Sequence, residues 1–320
     1  MKQMTLAAAA GFAKHKKVTK RAEFLAQMDR VVPWAELCAI VEPAYPKAGA
    51  GRHPIALERM LRMYFLAHWF NLADGALEEA VYESESMRRF IDIDLGRERV
   101  PDETTVCKFR HLLEQNNLGV RLFEEVGRHL QAQGMTVSSG TMVDATIINA
   151  PSSTRNKEAA RDPEMHQTKK GKNWYFGMKM HIGADSRTKL IHSVAVTPAN
   201  VHDKHALPRL LHGAERRVYA DAGYVGQQGL IHQLAPKAKA FINERAYRGR
   251  KLTPRQKERN RNKSRIRARV EHAFGVIKGV FKFTKVRYRG LLKNSTRAFV
   301  ACALANLYMV RRDLLRPRGA

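Results

Sequence analysis

Three acidic residues occupy positions that suit chemistry. Asp144 lies inside the apolar, β-branched run Met142-Val143-Asp144-Ala145-Thr146-Ile147-Ile148. Aspartate is depleted from strands, and a charge there needs a partner or a metal. Asp221 ends the run Val218-Tyr219-Ala220, and Gly223 behind it permits a sharp turn. Strand ends in open α/β sheets are where active-site residues gather. Glu271 falls in a helical pattern whose apolar stripe is Ile266, Val270, Ala273, Ile277 and Phe281. At about 100° per residue, Arg267, Glu271 and Lys278 fall within about 40° of one another, bordering that stripe. Each acid alone also has a plain structural reading: a strand-end hydrogen bond for Asp144, an Asx turn for Asp221, a surface salt-bridge ladder for Glu271. Together, three carboxylates on two strands and one helix suit a pair of divalent ions clamping a phosphodiester. One ion activates water or a 3′-hydroxyl, and the other stabilises the leaving oxygen. Mg²⁺ takes oxygen ligands and keeps several waters, so few carboxylates suffice. Mn²⁺ is expected to substitute. No Ser or Cys triad is apparent, and no Cys/His spacing suggests zinc.

The elements that must position these acids divide near Gly134. Before it the pattern is helical. Leu57, Leu61, Tyr64 and Phe65 recur at helical spacing behind Pro54, read as a first-turn proline. Glu103 to Glu114 follows Asp102 as N-cap, and Leu122, Val126 and Leu130 form a third stripe. After Gly134, Thr141 to Ile148 reads as a strand and Pro151 to Lys172 as a polar loop. Trp174 to Ile182 alternates as a half-buried strand, with Trp174 as a core anchor, and Leu190 to Val196 returns beside it. Lys179 and His181 share the other face of that strand, open to phosphate or solvent. A short helix at Lys204 to Leu211 has Asp203 as its expected N-cap, with His202 near enough to be an accessory residue. Strands at Arg217 to Ala220 and Ala238 to Ile242 flank a helix containing Leu230 to Leu234. Two helical patterns, Ile266 to Phe281 and Arg297 to Leu314, close the chain. The expected fold is a mixed α/β domain at 134–320 behind an all-helical domain at 1–133.

Composition narrows the partner. Lys and Arg total 57 against 30 Asp and Glu, a net charge of +27 on 320 residues. Such a charge opposes compaction unless something anionic neutralises it. A membrane is excluded on length, since no apolar run approaches the roughly 18 residues of a spanning helix, and no segment reads as a signal peptide. Three dispersed cysteines, Cys38, Cys107 and Cys302, fit a reducing cytoplasm. Nucleic acid remains. Between Arg245 and Arg269 there are twelve Lys or Arg residues and a single acid, Glu258, so Arg255, Lys257, Arg259 and Arg261 are expected on phosphates. The tip with Lys14, Lys16, Lys17, Lys20 and Arg21 offers a further backbone contact. On the Glu103–Glu114 helix, Lys108 and Arg110 could reach base edges as in a recognition helix, or be ordinary solvated side chains.

The residues also resemble a family. Thr141-Met142-Val143-Asp144-Ala145-Thr146, Tyr219-Ala220-Asp221-Ala222-Gly223-Tyr224 and Arg267-Ala268-Arg269-Val270-Glu271-His272-Ala273-Phe274 are similar to motifs of bacterial transposases of the insertion sequence 5 group, in the DDE superfamily. Pro101 to Thr105, Gly177 to Ile182 and Thr197 to Asp203 are similar to further segments of that group. Arg267, Glu271 and Lys278 match the signature Tyr-x2-Arg-x3-Glu-x6-Lys, with Ser264 in the Tyr position. The resemblance implies an RNase H-like catalytic domain, a mixed sheet flanked by helices, with Asp144, Asp221 and Glu271 as catalytic residues binding two Mg²⁺ ions. It implies Arg267 and Lys278 on the DNA backbone or orienting Glu271, and a helical part that binds DNA ends and dimerises. The implied partners are terminal inverted repeats and target DNA, handled by a homodimer at least when DNA-bound, in the bacterial nucleoid. The implied activity is cleavage at element ends followed by strand transfer. The alternatives are a nuclease of the same fold that only hydrolyses, and a non-catalytic DNA-binding protein derived from a transposase.

Overall fold

The structure, a computed structural model, describes residues 17–49, 53–135, 139–157, 159–247, 249 and 251–316. Lys14 and Lys16 of the basic tip, and Arg248 and Arg250 of the basic run, lie outside these residues.

The N-terminal half is helical: α1 Lys20–Val31, α2 Trp34–Val41, α3 Leu57–Trp69, α4 Asp74–Glu83, α5 Glu85–Phe90, α6 Glu103–Gln115 and α7 Leu118–Ala132. Side-chain caps fix several starts. Thr19 accepts from Ala22 N, and Asp102 Oδ1 from Thr105 N at 2.7 Å, as the sequence predicts. Pro54 does not open α3; Ala56 is its N-cap, and the proline stands outside the first turn.

Six strands follow in one mixed sheet: β1 Gly140–Asn149, β2 His166–Lys170, β3 Asn173–Asp185, β4 Ile191–Pro198, β5 Arg217–Ala220 and β6 Lys239–Ile242. The order is β2-β3-β1-β5-β6, and β4 also pairs with β3. β1 runs antiparallel to β3 and parallel to β5, and β5 is parallel to β6. The polar stretch after Pro151 is not all loop. His166–Lys170 pairs with Asn173–Gly177, because Gly171 at a φ of +63° supplies the tight turn. Gly177 is required where β3 crosses β1, since a Cβ there would stand 2.1 Å from Ile148 O. Beyond β4 come a 3₁₀ turn at Asp203–Arg209, another at Ala222–Tyr224, and α8 Gln228–Leu234. The chain closes with α9 Pro254–Arg267, α10 Val270–Phe274, a π-helical turn Gly275–Val280 and α11 Leu291–Leu314.

Two apolar clusters sandwich the sheet. On one side Met142, Met180 and Ile182 pack with Val270, Ile277 and Leu304, in a core that continues into Leu25, Phe65 and Leu122 of the N-terminal helices. On the other, Val143, Ala195, Val218 and Tyr224 pack with Leu207 and Ile231. α11 touches α1, α3, α6 and α7 as well as β4. Asn71, held at a φ of +53°, reinforces this join: its Oδ1 accepts from Arg287 at 2.9 Å and from Arg297 at 2.7 Å. Among the described residues no helix is long and apolar enough to cross a membrane.

Candidate active site

Sheet register brings the two aspartates together. Met142 pairs with Tyr219, so the same register continued two residues sets Asp144 level with Asp221. Side chains two apart share a face, and both acids therefore open on the side covered by α9 and α10. Asp144 Oδ1 accepts from the backbone of Ala145 at 2.9 Å, and Oδ2 accepts from the Arg267 guanidinium at 2.5 Å. Asp221 Oδ1 accepts from Gly223 N at 2.8 Å, the Asx turn that its sequence allows. Burial pushes the Asp144 carboxyl from an ordinary 3.8 up to about 6; Arg267 opposes this, while Asp221 and Asp203 add to it by repulsion. A carboxylate both desolvated and crowded by like charge is a receptor for a cation.

The helix opposite is fastened to β1 at two points. Arg267 reaches Asp144, and Lys278 donates to Thr146 Oγ1 at 3.1 Å and Ile147 O at 3.0 Å. Glu271 lies between them on α10, exposed, while Val270, Ala273, Ile277 and Phe281 are buried as the stripe requires. The helix is not uniform, however. α9 ends at Arg267, and the chain widens into a π turn from Gly275. The 100° step therefore fails across Arg267–Lys278, and contacts with β1, rather than a shared angle, put Arg267 and Lys278 on its side. Such π turns are frequent at functional sites. Ser264, in the position of the signature Tyr, accepts from Asn243 Nδ2 at 2.9 Å and so ties α9 to the end of β6.

Hard oxygen donors, mutual repulsion at Asp144, and a guanidinium standing where a cation would neutralise it fit a divalent ion better than an apolar ligand. Among the described residues no three His, Cys, Asp or Glu side chains are gathered closely enough to hold an ion unaided.

The basic run is a helix rather than a loop. Thr253 and Gln256 form a capping box, and Pro254 opens the first turn. α9 buries no side chain; polar contacts hold it instead, Asn260 bonding the backbone of Glu244 and Lys263 the carbonyl of Ile242. Arg255, Lys257 and Arg261 are exposed. Arg259 is engaged, forking onto both Glu244 oxygens at 2.9 and 3.2 Å.

Four expectations are corrected. Arg110 does not project from α6. It is 6% exposed, paired with Glu114 at 2.9 Å and Asp74 at 3.0 Å, and stacked on Tyr288; of the two basic residues expected on DNA, Lys108 alone is exposed. Trp174 is no core anchor. It is 66% exposed near the turn of the β2–β3 hairpin, with Lys169 of the paired strand over its ring. Asp203 does not cap the 3₁₀ turn. His202 does, accepting from Lys204 N, and Asp203 pairs with Lys179 at 2.9 Å. Lys179 and His181 do not face solvent either; His181 is fully buried against Thr197. A lysine and a histidine at alternate positions of a strand gave no sign that a later turn would cover them.

Sequence comparison decides the family. Residues 136–307, more than half the chain, match the family described as Transposase DDE domain. The chain belongs to the DDE transposases. Residues 13–112 of this transposase also match a family described as Transposase domain (DUF772). Among solved structures, a cryo-EM structure of a piggyBac transposase synaptic complex with hairpin DNA is similar at 11% identity, covering 91% of this chain and 75% of that one with a TM-score of 0.44. The assignment rests on the family match alone.

Two consequences of this geometry are measurable. Because the folded-state value of Asp144 lies above the unfolded one, its protonated form favours folding. That contribution is whole below about pH 4 and is lost as pH rises through about 6. In EDTA at pH 7.5, Asp144→Asn should therefore stabilise the transposase by roughly 2–3 kcal/mol, and the gain should vanish towards pH 4. Thermal unfolding of the two proteins across that range checks it; equal stability at pH 7.5 contradicts the burial assigned to Asp144. Arg110→Ala should cost about 3 kcal/mol by stranding Asp74 and Glu114, with the salt dependence of DNA binding unmoved. Denaturant titration and filter binding report the two separately.

Proposed function

We propose that this chain is a bacterial insertion-sequence transposase of the insertion sequence 5 group, with an RNase H-like catalytic domain at 134–320 that cleaves element ends and joins them to target DNA. The observation that carries the reading is that Asp144 on β1 and Asp221, just past the end of the parallel strand β5, lie beside a helical segment that carries Glu271 and is fastened to β1 by Arg267 and Lys278. These three carboxylates would hold Mg²⁺, or Mn²⁺ in its place. When bound, two such ions supply a more nucleophilic water or 3′-hydroxyl and stabilise the leaving oxygen. Arg267 neutralises Asp144 until a cation does so, and its guanidinium is then free for a phosphate.

The DNA path follows the exposed cations. Arg255, Lys257 and Arg261 on α9 lead into the Glu271 helix. On the other side, the hairpin tip offers Lys169, Lys170, Lys172 and the exposed Trp174, and burial, with a smaller contribution from Lys170, lowers the proton affinity of Lys278. Residues 1–133 are assigned to end binding and dimerisation, with Lys108 the surviving base-reading candidate on α6. His202 stays a bystander, its ring engaged in capping.

The test is an oligonucleotide assay with the inverted repeats that flank the gene. Mg²⁺-dependent nicking at the repeat ends and joining of a pre-cleaved 3′-end to plasmid DNA are expected. Nicking without joining identifies a hydrolase, and neither with intact binding identifies a DNA-binding derivative.

A further inference from the structure

The sheet face that carries Asp144 can be followed outward along β3. Asp144 pairs with Ile182 across the antiparallel ladder, and directly opposed residues share a face. Counting back by twos, Met180, Met178, Phe176 and Trp174 stand on that same face. The register runs unbroken from Ile182 through Gly177 to Trp174. Ile182, Met180 and Met178 are buried in the main core, Phe176 is half-buried against it, and Trp174 is open. At about 3.3 Å per residue, the eight positions between Ile182 and Trp174 set the indole about 26 Å along the strand from the level of Asp144.

Trp174 is the largest of the exposed apolar side chains among the described residues, and its surroundings carry one sign of charge. Lys169, Lys170 and Lys172 are exposed at the same hairpin turn, and no acidic residue occurs between Glu164 and Asp185. Lys169, opposite Trp174 in the register, holds its ammonium 5.7 Å from the ring centroid. A flat apolar ring among phosphate-binding cations is the combination with which proteins hold unpaired bases: the cations follow the backbone and the aromatic face takes a base. A second copy of this chain is the poorer occupant, because two such hairpins facing each other would set like charges together.

We propose that Trp174 is a nucleobase-stacking residue: the β2–β3 hairpin grips DNA by its lysines while the indole stacks on a base at an opened step. At about 3.4 Å per base pair, that base lies roughly seven to eight positions from the phosphodiester held at Asp144. Because every base presents a π-face, the contact grips without reading sequence. The inference rests on the DNA-transposase reading of the site.

The experiment uses the full-length protein and a duplex spanning the repeat end, with single abasic sites placed one position at a time on either side of the cleavage point. On the intact duplex, Trp174→Ala should weaken binding about tenfold and leave the salt slope unmoved. Lys169→Ala combined with Lys172→Ala should instead reduce that slope by about 1.8. Unfolding temperature should stay near the parent's, since the ring lies mostly in solvent. The deficit of Trp174→Ala against the parent should disappear when the abasic site stands roughly seven to eight positions from the cut, and persist when it stands elsewhere. Parent-like affinity of Trp174→Ala, or a deficit that no abasic site in that interval removes, overturns the stacking contact and leaves the DNA-binding reading standing. A DNA-free oligomer of the parent that Trp174→Ala dissociates in sedimentation also overturns it, by giving the ring to a second copy. Failure of the parent to bind the duplex overturns both.

Discussion

Asp144→Asn, Asp221→Asn and Glu271→Gln should each lower end cleavage by roughly a thousandfold, equivalent to about 4 kcal/mol of transition-state stabilisation, while leaving DNA binding intact. The amides keep shape and remove only the charge that would hold a divalent ion. Of the three, Glu271→Gln is the most informative. Asp144 lies on β1 and Asp221 just past the end of the neighbouring parallel strand, whereas Glu271 is exposed on its helix. Near-parental cleavage by Glu271→Gln would remove it from the site and direct attention to Asp203, the other carboxylate that acts on Asp144. Gel-shift measurements on the same preparations separate lost chemistry from lost binding.

The second large effect concerns salt. Arg255, Lys257 and Arg261 are exposed on α9, and among the described residues no ion pair engages them. Each phosphate contact contributes roughly 0.9 to the slope of log affinity against log salt. Replacing all three by Ala should thus reduce that slope by about 2.7 and weaken binding at low salt on the order of a hundredfold. Arg259→Ala should do much less, because its guanidinium already serves Glu244. A triple variant with an unchanged slope would place the DNA elsewhere.

Much of this architecture can be read from residue order. β1 emerges as a strand because Met142, Val143, Ile147 and Ile148 are apolar and mostly β-branched, and α6 begins at Asp102 because aspartate caps helices. The placement of Asp144 opposite Asp221 was not legible, since register between parallel strands is set by the crossover between them. The hairpin β2 stayed hidden because His166 to Lys170 is wholly polar and an edge strand needs no apolar face. Arg110 was misjudged for a related reason. A basic residue on a polar face looks solvated until Asp74 and Tyr288, 36 positions before it and far beyond it in the chain, close over it. Asp203 closes over Lys179 and His181 from a later segment of the chain, and no local pattern announces it.

The last helix has an implication for how such a protein can change. α11 is packed by the N-terminal helices on one flank and by β4 on the other, and Arg297 within it is held by Asn71. The N-terminal helices and the sheet domain are therefore not interchangeable modules joined by a hinge. A fragment beginning near Gly134 would expose the flank of α11 that α1, α3 and α7 now cover, and grafting a foreign N-terminal half would leave the same apolar face without its mate. Under the proposed assignment of end recognition to these helices, new end specificity is reached by substitution on exposed surfaces such as that around Lys108 more readily than by recombination of parts.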